Sequence, residues 1–262
     1  MKKLVIVPDV HGRTFWKAVI PFVEEGIPCI FLGDYTDPYS IDNISDIDVL
    51  KNLREIFSLA RTYSDRVSLL LGNHDLSYLG DPFGIWTVYA DRFCYNYADV
   101  IADYYNENAD IFSLCTFREI GSEPILFSHA GMHPVWVELS HLFDDIDTKN
   151  AKALADRVDK LYHESLSADE RTEFMEALAM VGSYRGGHSF AGSMVWADCR
   201  EYDNTDSGFT QIFGHTAQRR LHNEGKNLPY VVGNNICIDC ERCFYLDQDA
   251  RLHCLENDEP VT

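Results

Sequence analysis

Five short apolar runs in this chain each break off in a turn that carries Asp, Asn or His, and this punctuation constrains the fold more than any other feature. Leu4-Val5-Ile6-Val7 ends in Pro8-Asp9-Val10-His11-Gly12, and Cys29-Ile30-Phe31-Leu32 ends in Gly33-Asp34-Tyr35-Thr36-Asp37. Val67 to Leu71 ends in Gly72-Asn73-His74-Asp75, Ile125-Leu126-Phe127 in Ser128-His129-Ala130-Gly131, and Gln211-Ile212-Phe213 in Gly214-His215-Thr216. Runs this short, rich in Val, Ile, Leu and Phe and separated by amphipathic stretches, read as buried strands covered by helices. The fold class is therefore α/β. In such a protein the loops at the carboxyl ends of the strands gather at one rim, so residues distant in sequence converge.

The intervening segments fit this scheme. Asp46 to Tyr63 places Val49, Leu53, Ile56, Phe57 and Ala60 at helical spacing behind Ser45, a side chain suited to an N-cap. From about Lys149 to Met180 a more polar helical segment is expected, with Ser167 and Glu170 spaced as a capping box at the start of its second half. Beyond Thr216 the chain reads as strands and turns through Tyr230–Val232, Ile236–Asp239, Cys243–Leu246 and Arg251–Leu255. There are no repeats, low-complexity tracts or linkers, and residues 1–262 are expected to form one domain.

Composition narrows the function classes. Acidic residues number 42 against 22 basic ones, a net charge of -20, which argues against a nucleic-acid backbone as partner and suits hard divalent cations. The apolar run after Met1-Lys2-Lys3 is cut by Pro8 and Asp9, too short for a signal peptide. No stretch has the apolar length of a membrane span, so no membrane partner and a cytoplasmic location are expected. The eight cysteines mostly lie singly in apolar segments, as small buried reduced thiols. Cys237-x-x-Cys240-x-x-Cys243 has no second Cys or His pair at a zinc-finger spacing, which favours packing over zinc. Trp16, Trp86, Trp136 and Trp196 read as core residues rather than base-stacking surfaces.

The turn residues carry metal chemistry. Asp9-x-His11, in an extended segment, would aim a carboxylate and an imidazole the same way. Asp34 has two oxygens and can bridge two cations, while Asn73, His129 and His215 add neutral oxygen and nitrogen donors. In this order the motifs resemble the calcineurin-like metallophosphoesterases: Asp-x-His, Gly-Asp-x-x-Asp, Gly-Asn-His-Asp, a Gly-flanked His after a strand, and a late Gly-His. The match spans positions 9 to 216. Gly214-His215-Thr216-Ala217 has one histidine where many members have Gly-His-x-His, which is similar to the phosphoprotein phosphatases and their diadenosine tetraphosphate hydrolase relatives. Asn235-Ile236-Cys237-Ile238-Asp239-Cys240 also resembles the segment after the last metal ligand of that branch.

The resemblance implies a four-layer α-β-β-α sandwich with the metal site at the carboxyl ends of the strands and a helical cap inserted at about 145–185. It implies that Asp9, His11 and Asp34 hold one divalent cation and Asp34, Asn73, His129 and His215 a second, with manganese expected and iron, zinc or cobalt as options. It also implies that His74 protonates the leaving group while Asp37 orients its imidazole. One departure stands out: Pro38 occupies the position where this branch has a phosphate-gripping arginine. Arg185, between Ser183-Tyr184 and Gly186-Gly187, is the leading replacement, with Arg13 and Arg200 as competitors and Asp198 as a further candidate contact. The expected activity is hydrolysis of phosphomonoesters on a protein or small molecule. Hydrolysis of nucleotide phosphoanhydrides such as diadenosine tetraphosphate is the alternative. A silent binding module of the same fold is disfavoured by the complete ligand set, and a nuclease by the charge.

Overall fold

The computed structural model describes residues 1–79, 92–221 and 227–261; Trp86 lies outside them. The chain divides into two compact units, Met1–Phe112 with Glu241–Thr262, and Ser113–Cys240.

The first unit is built on a six-stranded sheet. Strands β1 (Lys2–Val7), β2 (Cys29–Phe31), β3 (Val67–Leu70) and β4 (Phe112–Ser113) are joined from the far end of the chain by β10 (Phe244–Asp247) and β11 (Leu252–Cys254), in the order β11-β10-β1-β2-β3-β4. β2 pairs in parallel with β1 on one side (Ile6 opposite Ile30) and with β3 on the other (Ile30 opposite Ser68). Leu4 to Val7 and Cys29 to Phe31 are fully buried, as strands covered on both faces must be. Because β1, β2 and β3 run the same way side by side, the turns bearing Asp9, Asp34 and Asn73 open at the same edge of the sheet.

Helices α1 (Ile20–Glu24), α2 (Asp46–Thr62), α3 (Asn73–Leu76) and α4 (Ala98–Glu107) accompany this sheet. Helix α2 starts as its sequence predicts: the Ser45 hydroxyl accepts from the amide of Asp48, and Val49, Leu53, Ile56, Phe57 and Ala60 are all buried. Phe57 meets Tyr105 of α4 edge-on at 5.5 Å and Phe112 at 5.1 Å, an aromatic cluster that also takes in Tyr35 at the end of β2. A buried Asn52 on α2 accepts from the Trp16 indole and donates to the Arg13 carbonyl, so the polar atom inside this face is satisfied.

The second unit carries a five-stranded sheet of β5 (Cys115–Ile120), β6 (Glu123–Ser128), β7 (Thr210–Phe213), β8 (Tyr230–Val232) and β9 (Asn235–Cys237), in the order β5-β6-β7-β9-β8. β7 lies parallel to both β6 and β9, so the segments leaving β6, β7 and β9 again share one edge. Helices α5 (Pro134–Ser140), α6 (Ala151–Leu166), α7 (Glu173–Leu178) and α8 (Gln218–Leu221) belong to this unit, and α6 packs on β5 and β6.

Two local expectations are corrected. The capping box at Ser167 and Glu170 does not form: Ser167 is the C-cap of α6, its hydroxyl bonded back to the His163 carbonyl. Thr172 caps α7 instead, accepting from the amide of Met175. β5 was not expected as a strand because Arg118 and Glu119 interrupt its apolar residues. It is an edge strand, half-buried along most of its length, where polar side chains are tolerated. Among the described residues no helix is long and apolar enough to cross a membrane.

Candidate metal centre

In the first unit the three turns after β1, β2 and β3 are stitched together in sequence by backbone amides. Val10 and His11 both donate to the Asp34 carbonyl at 3.1 and 2.7 Å, and Gly12 donates to that of Tyr35 at 2.9 Å. The turn after β2 is tied to the turn after β3 by Asp75, whose carboxylate accepts from the amides of Gly72 (2.7 Å), Asp34 (2.6 Å) and Tyr35 (3.0 Å) and from the Tyr105 hydroxyl. Gly33 is required at this junction: its φ is +108°, and a Cβ there would sit 2.5 Å from the Gly72 nitrogen. Asp75 was passed over in the sequence because it follows two residues with obvious chemical roles.

Asp75→Ala leaves three buried amides and a hydroxyl without their acceptor. At about 1–3 kcal/mol for each orphaned group, the variant is expected to lose at least about 3 kcal/mol of stability in urea unfolding. A loss below about 1 kcal/mol would show that the clamp is dispensable.

This stitching brings Asp9, His11 and Asp34 together. All three are buried, and one donor atom from each lies within 4.8 Å of the others. The route differs from the extended segment expected for Asp-x-His. β1 ends at Val7, and His11 adopts φ +46° ahead of Gly12 at +75°, so a left-handed turn, not a strand, aims the imidazole. Asp34 and Asp37 are left-handed as well, with φ +53° and +57°. Non-glycine residues in this region are costly and collect at functional sites.

The donor chemistry suits a divalent cation. His11 Nδ1 faces the Thr36 carbonyl at 3.0 Å, which places its proton there and leaves Nε2 as the lone-pair donor, 3.6 Å from Asp34 Oδ2. Burial, with help from Arg92, His74 and Arg13, holds His11 well below the ordinary histidine value, in the neutral form that binds metals. Burial raises Asp34, and burial with the adjacent Asp34 charge pushes Asp75 up to about 7. Buried carboxylates crowded in this way call for positive charge.

His74 stands beside these donors. Its backbone amide donates to Asp34 Oδ1 at 3.0 Å, and its ring meets that of His11 edge-on with centroids 5.3 Å apart. Nδ1 lies 2.7 Å from Asp37 Oδ2, and the other Asp37 oxygen accepts from the Tyr78 hydroxyl, so the carboxylate that orients the imidazole is itself held. Burial opposes charging the ring, but Asp34 and Asp37 outweigh it and raise the His74 value. Asn73, the first residue of α3, is buried next to it. Arg13 is held by Asp42 at 2.6 Å and Glu241 at 3.2 Å. Arg92, absent from the sequence reading, brings Nη2 to 3.0 Å from His74 Nε2.

In the second unit the neighbouring strands β6 and β7 deliver the two remaining histidines. Gly214 donates to the His129 carbonyl at 2.7 Å, and His129 Nε2 faces His215 Nδ1 at 3.1 Å with both rings buried. His215 is left-handed, φ +65°. Gly131, at φ +83°, keeps the turn after β6 against Tyr202, whose hydroxyl donates to the Ala130 carbonyl at 3.1 Å; a side chain at Gly131 would collide with that ring. Two ring nitrogens turned toward each other form an imidazole donor pair of the kind that transition metals accept.

The arginine candidates of this unit share one carboxylate. Arg185 Nη2 donates to the His215 carbonyl (3.0 Å) and Thr216 Oγ1 (2.9 Å), and its Nε pairs with Asp198 Oδ2 at 3.0 Å. Arg200 binds both Asp198 oxygens at 2.7 and 3.0 Å and covers the Tyr184 ring. Asp198 is 1% exposed, and its interactions make it the holder of two guanidinium groups.

The fold of this chain is shared with solved structures. In the solved structures the chain is similar to a cold-active protein tyrosine phosphatase, at 15% identity and TM-score 0.53, covering 97% of this chain and 76% of that one. It is also similar to a Saccharomyces cerevisiae protein serine/threonine phosphatase described as resembling human phosphatase PP5, at 13% identity and TM-score 0.47, covering 98% and 82%. No curated protein matches the sequence. Residues 2–219 match the profile of the calcineurin-like phosphoesterases. With that match over most of its length, with two sheets flanked by helices and with buried carboxylate and imidazole donors at the strand ends, the chain belongs to the calcineurin-like phosphoesterase family.

Proposed function

We propose that this metal-dependent phosphoesterase is a phosphomonoesterase that works with two divalent cations, manganese foremost, for which Asp9, His11, Asp34, Asn73, His129 and His215 are the ligands. The observation that carries the reading is the buried Asp9, His11 and Asp34 donor set lying beside the hydrogen-bonded His74 and Asp37 pair. When bound, the cations supply neutralisation of phosphoryl oxygens and a water nucleophile near neutral pH.

The chain's own residues do the rest. Nδ1 of His74 donates to Asp37, so Nε2 is the ring atom that delivers a proton to the departing alkoxide. Asp37 favours the charged ring and fixes its plane, and Tyr78 fixes Asp37. Arg185, anchored by Nη2 to the His215 turn and by Nε to Asp198, holds a positive charge at that turn which attracts a phosphoryl oxygen. A phosphorylated protein or a small phosphate ester is the substrate.

The test is hydrolysis of p-nitrophenyl phosphate beside diadenosine tetraphosphate by the manganese-loaded protein. Preference for the monoester is expected, and preference for the anhydride would move the assignment to nucleotide hydrolysis. Arg185→Ala is expected to weaken inhibition by inorganic phosphate more than Arg200→Ala does, because Arg185 is tied to the His215 turn while Arg200 covers Tyr184. The reverse order would place the phosphate contact at Arg200.

A further inference from the structure

The turn that delivers His215 is strained. His215 has φ +65°, and the Thr216 amide donates back to the Gly214 carbonyl at 2.7 Å, so Gly214, His215 and Thr216 close a three-residue turn of the rarer γ form. A left-handed histidine persists only where its surroundings over-determine it. Here a side chain binds each carbonyl of the turn. The Cys237 thiol donates to that of Gly214 at 3.0 Å, Arg185 Nη2 to that of His215 at 3.0 Å, and Gln218 Nε2 to that of Thr216 at 2.6 Å.

Two residues tie this turn to the rest of the unit. Thr216 Oγ1 accepts from the Cys199 amide at 3.0 Å and from the same Arg185 Nη2 at 2.9 Å, so one hydroxyl joins the turn to the start of the Cys199–Tyr202 segment and to the guanidinium on the His215 carbonyl. Gln218, the first residue of α8, is fully buried. Its backbone amide donates to the Asp239 carbonyl at 2.9 Å while its side-chain nitrogen reaches back to Thr216 and meets Cys237 Sγ at 3.3 Å. A buried polar network of this kind rigidifies what it surrounds. What it surrounds is the backbone that sets the His215 ring, whose Nδ1 lies 3.1 Å from His129 Nε2.

We propose that Thr216 and Gln218 are positioning residues for His215, holding its imidazole in the orientation that faces His129; this rests on the reading of His215 as a metal ligand and adds the groups that aim it. Without the Thr216 hydroxyl, Arg185 Nη2 keeps only the His215 carbonyl and the Cys199 amide loses its acceptor. Without the Gln218 amide, the Thr216 carbonyl loses its side-chain donor. In either case the strained φ of His215 relaxes toward the negative region that L-residues prefer, and the ring turns with it.

Calorimetric titration of the metal-free protein with manganese tests it, with His215→Ala marking the binding step that depends on this histidine. Thr216→Val keeps the shape and removes the hydroxyl; Gln218→Met keeps the length and removes the amide. Each is expected to weaken that step about 10- to 100-fold, the usual cost of losing an outer partner of a metal ligand. Thr216→Ser, which keeps the hydroxyl, is expected to bind manganese as wild type does. Circular dichroism of the metal-free variants separates loss of aim from loss of fold. Wild-type affinity in both Thr216→Val and Gln218→Met would overturn the proposal, as would a loss in Thr216→Ser equal to that in Thr216→Val, which would make the role one of packing. If Thr216→Val does not fold, Gln218→Met decides: unchanged affinity overturns the positioning role. Wild-type manganese binding in His215→Ala would refute the ligand reading itself. A step lost in His215→Ala but intact in Thr216→Val and Gln218→Met would refute the positioning alone.

Discussion

Asp34→Asn is expected to lower metal-dependent hydrolysis by about three orders of magnitude while leaving the protein folded. Asp34 is the carboxylate proposed to serve both cations, and an amide removes its charge with almost no change of shape. Loss of several kcal/mol of charge stabilisation corresponds to about a thousandfold in rate. The backbone tolerates the change: Asp34 is left-handed at φ +53°, and Asn is the side chain other than Gly that accepts this region best. The amide oxygen can still accept the His74 N–H now bonded to Asp34 Oδ1, and the Asp34 amide still donates to Asp75. The metal-free variant should unfold at the same or a slightly higher temperature, because a buried charge has been removed. Full activity in this variant would defeat the shared-carboxylate model.

His74→Asn is expected to separate proton donation from metal binding. Its ring supplies none of the three clustered donor atoms in the first unit, while its backbone amide, which holds Asp34, is retained. Metal content should match wild type, and turnover of alkyl phosphates should fall about 10²- to 10⁴-fold, the usual worth of general acid catalysis. p-Nitrophenyl phosphate, whose leaving group needs little protonation, should lose much less. Steady-state kinetics over a series of leaving groups reads this directly. An equal loss for every substrate, together with loss of metal, would make His74 a ligand.

The rim of donors was legible in the sequence because parallel buried strands have a simple signature. Runs such as Leu4 to Val7 and Cys29 to Phe31 are continuous and apolar, and their parallel pairing puts Asp9, Asp34 and Asn73 at one edge without further instruction. The start of α2 was legible for the same kind of reason, since Ser45 and the spacing of Val49, Leu53 and Ile56 are local.

What was not legible depends on long-range contacts or on backbone states that L-residues rarely adopt. Nothing in Asp-x-His announces that His11 is left-handed, and Gly12 could as well have taken the whole turn. The roles of Asp75 and Asp198 appear only when their partners are in place: three amides and a tyrosine for one, two arginines for the other. Arg92 has no motif around it, and its contacts run to Tyr39 and His74, far away in sequence. β5 was missed because an edge strand needs no apolar continuity.

Metal content per chain of the purified protein, measured with hydrolysis of p-nitrophenyl phosphate before chelation, after chelation and after manganese is restored, tests the two-metal centre. Two metals per chain are expected, with activity lost with the metal and recovered on its return. A folded protein that holds no divalent metal under manganese saturation, or that turns over substrate equally well after chelation, would contradict it.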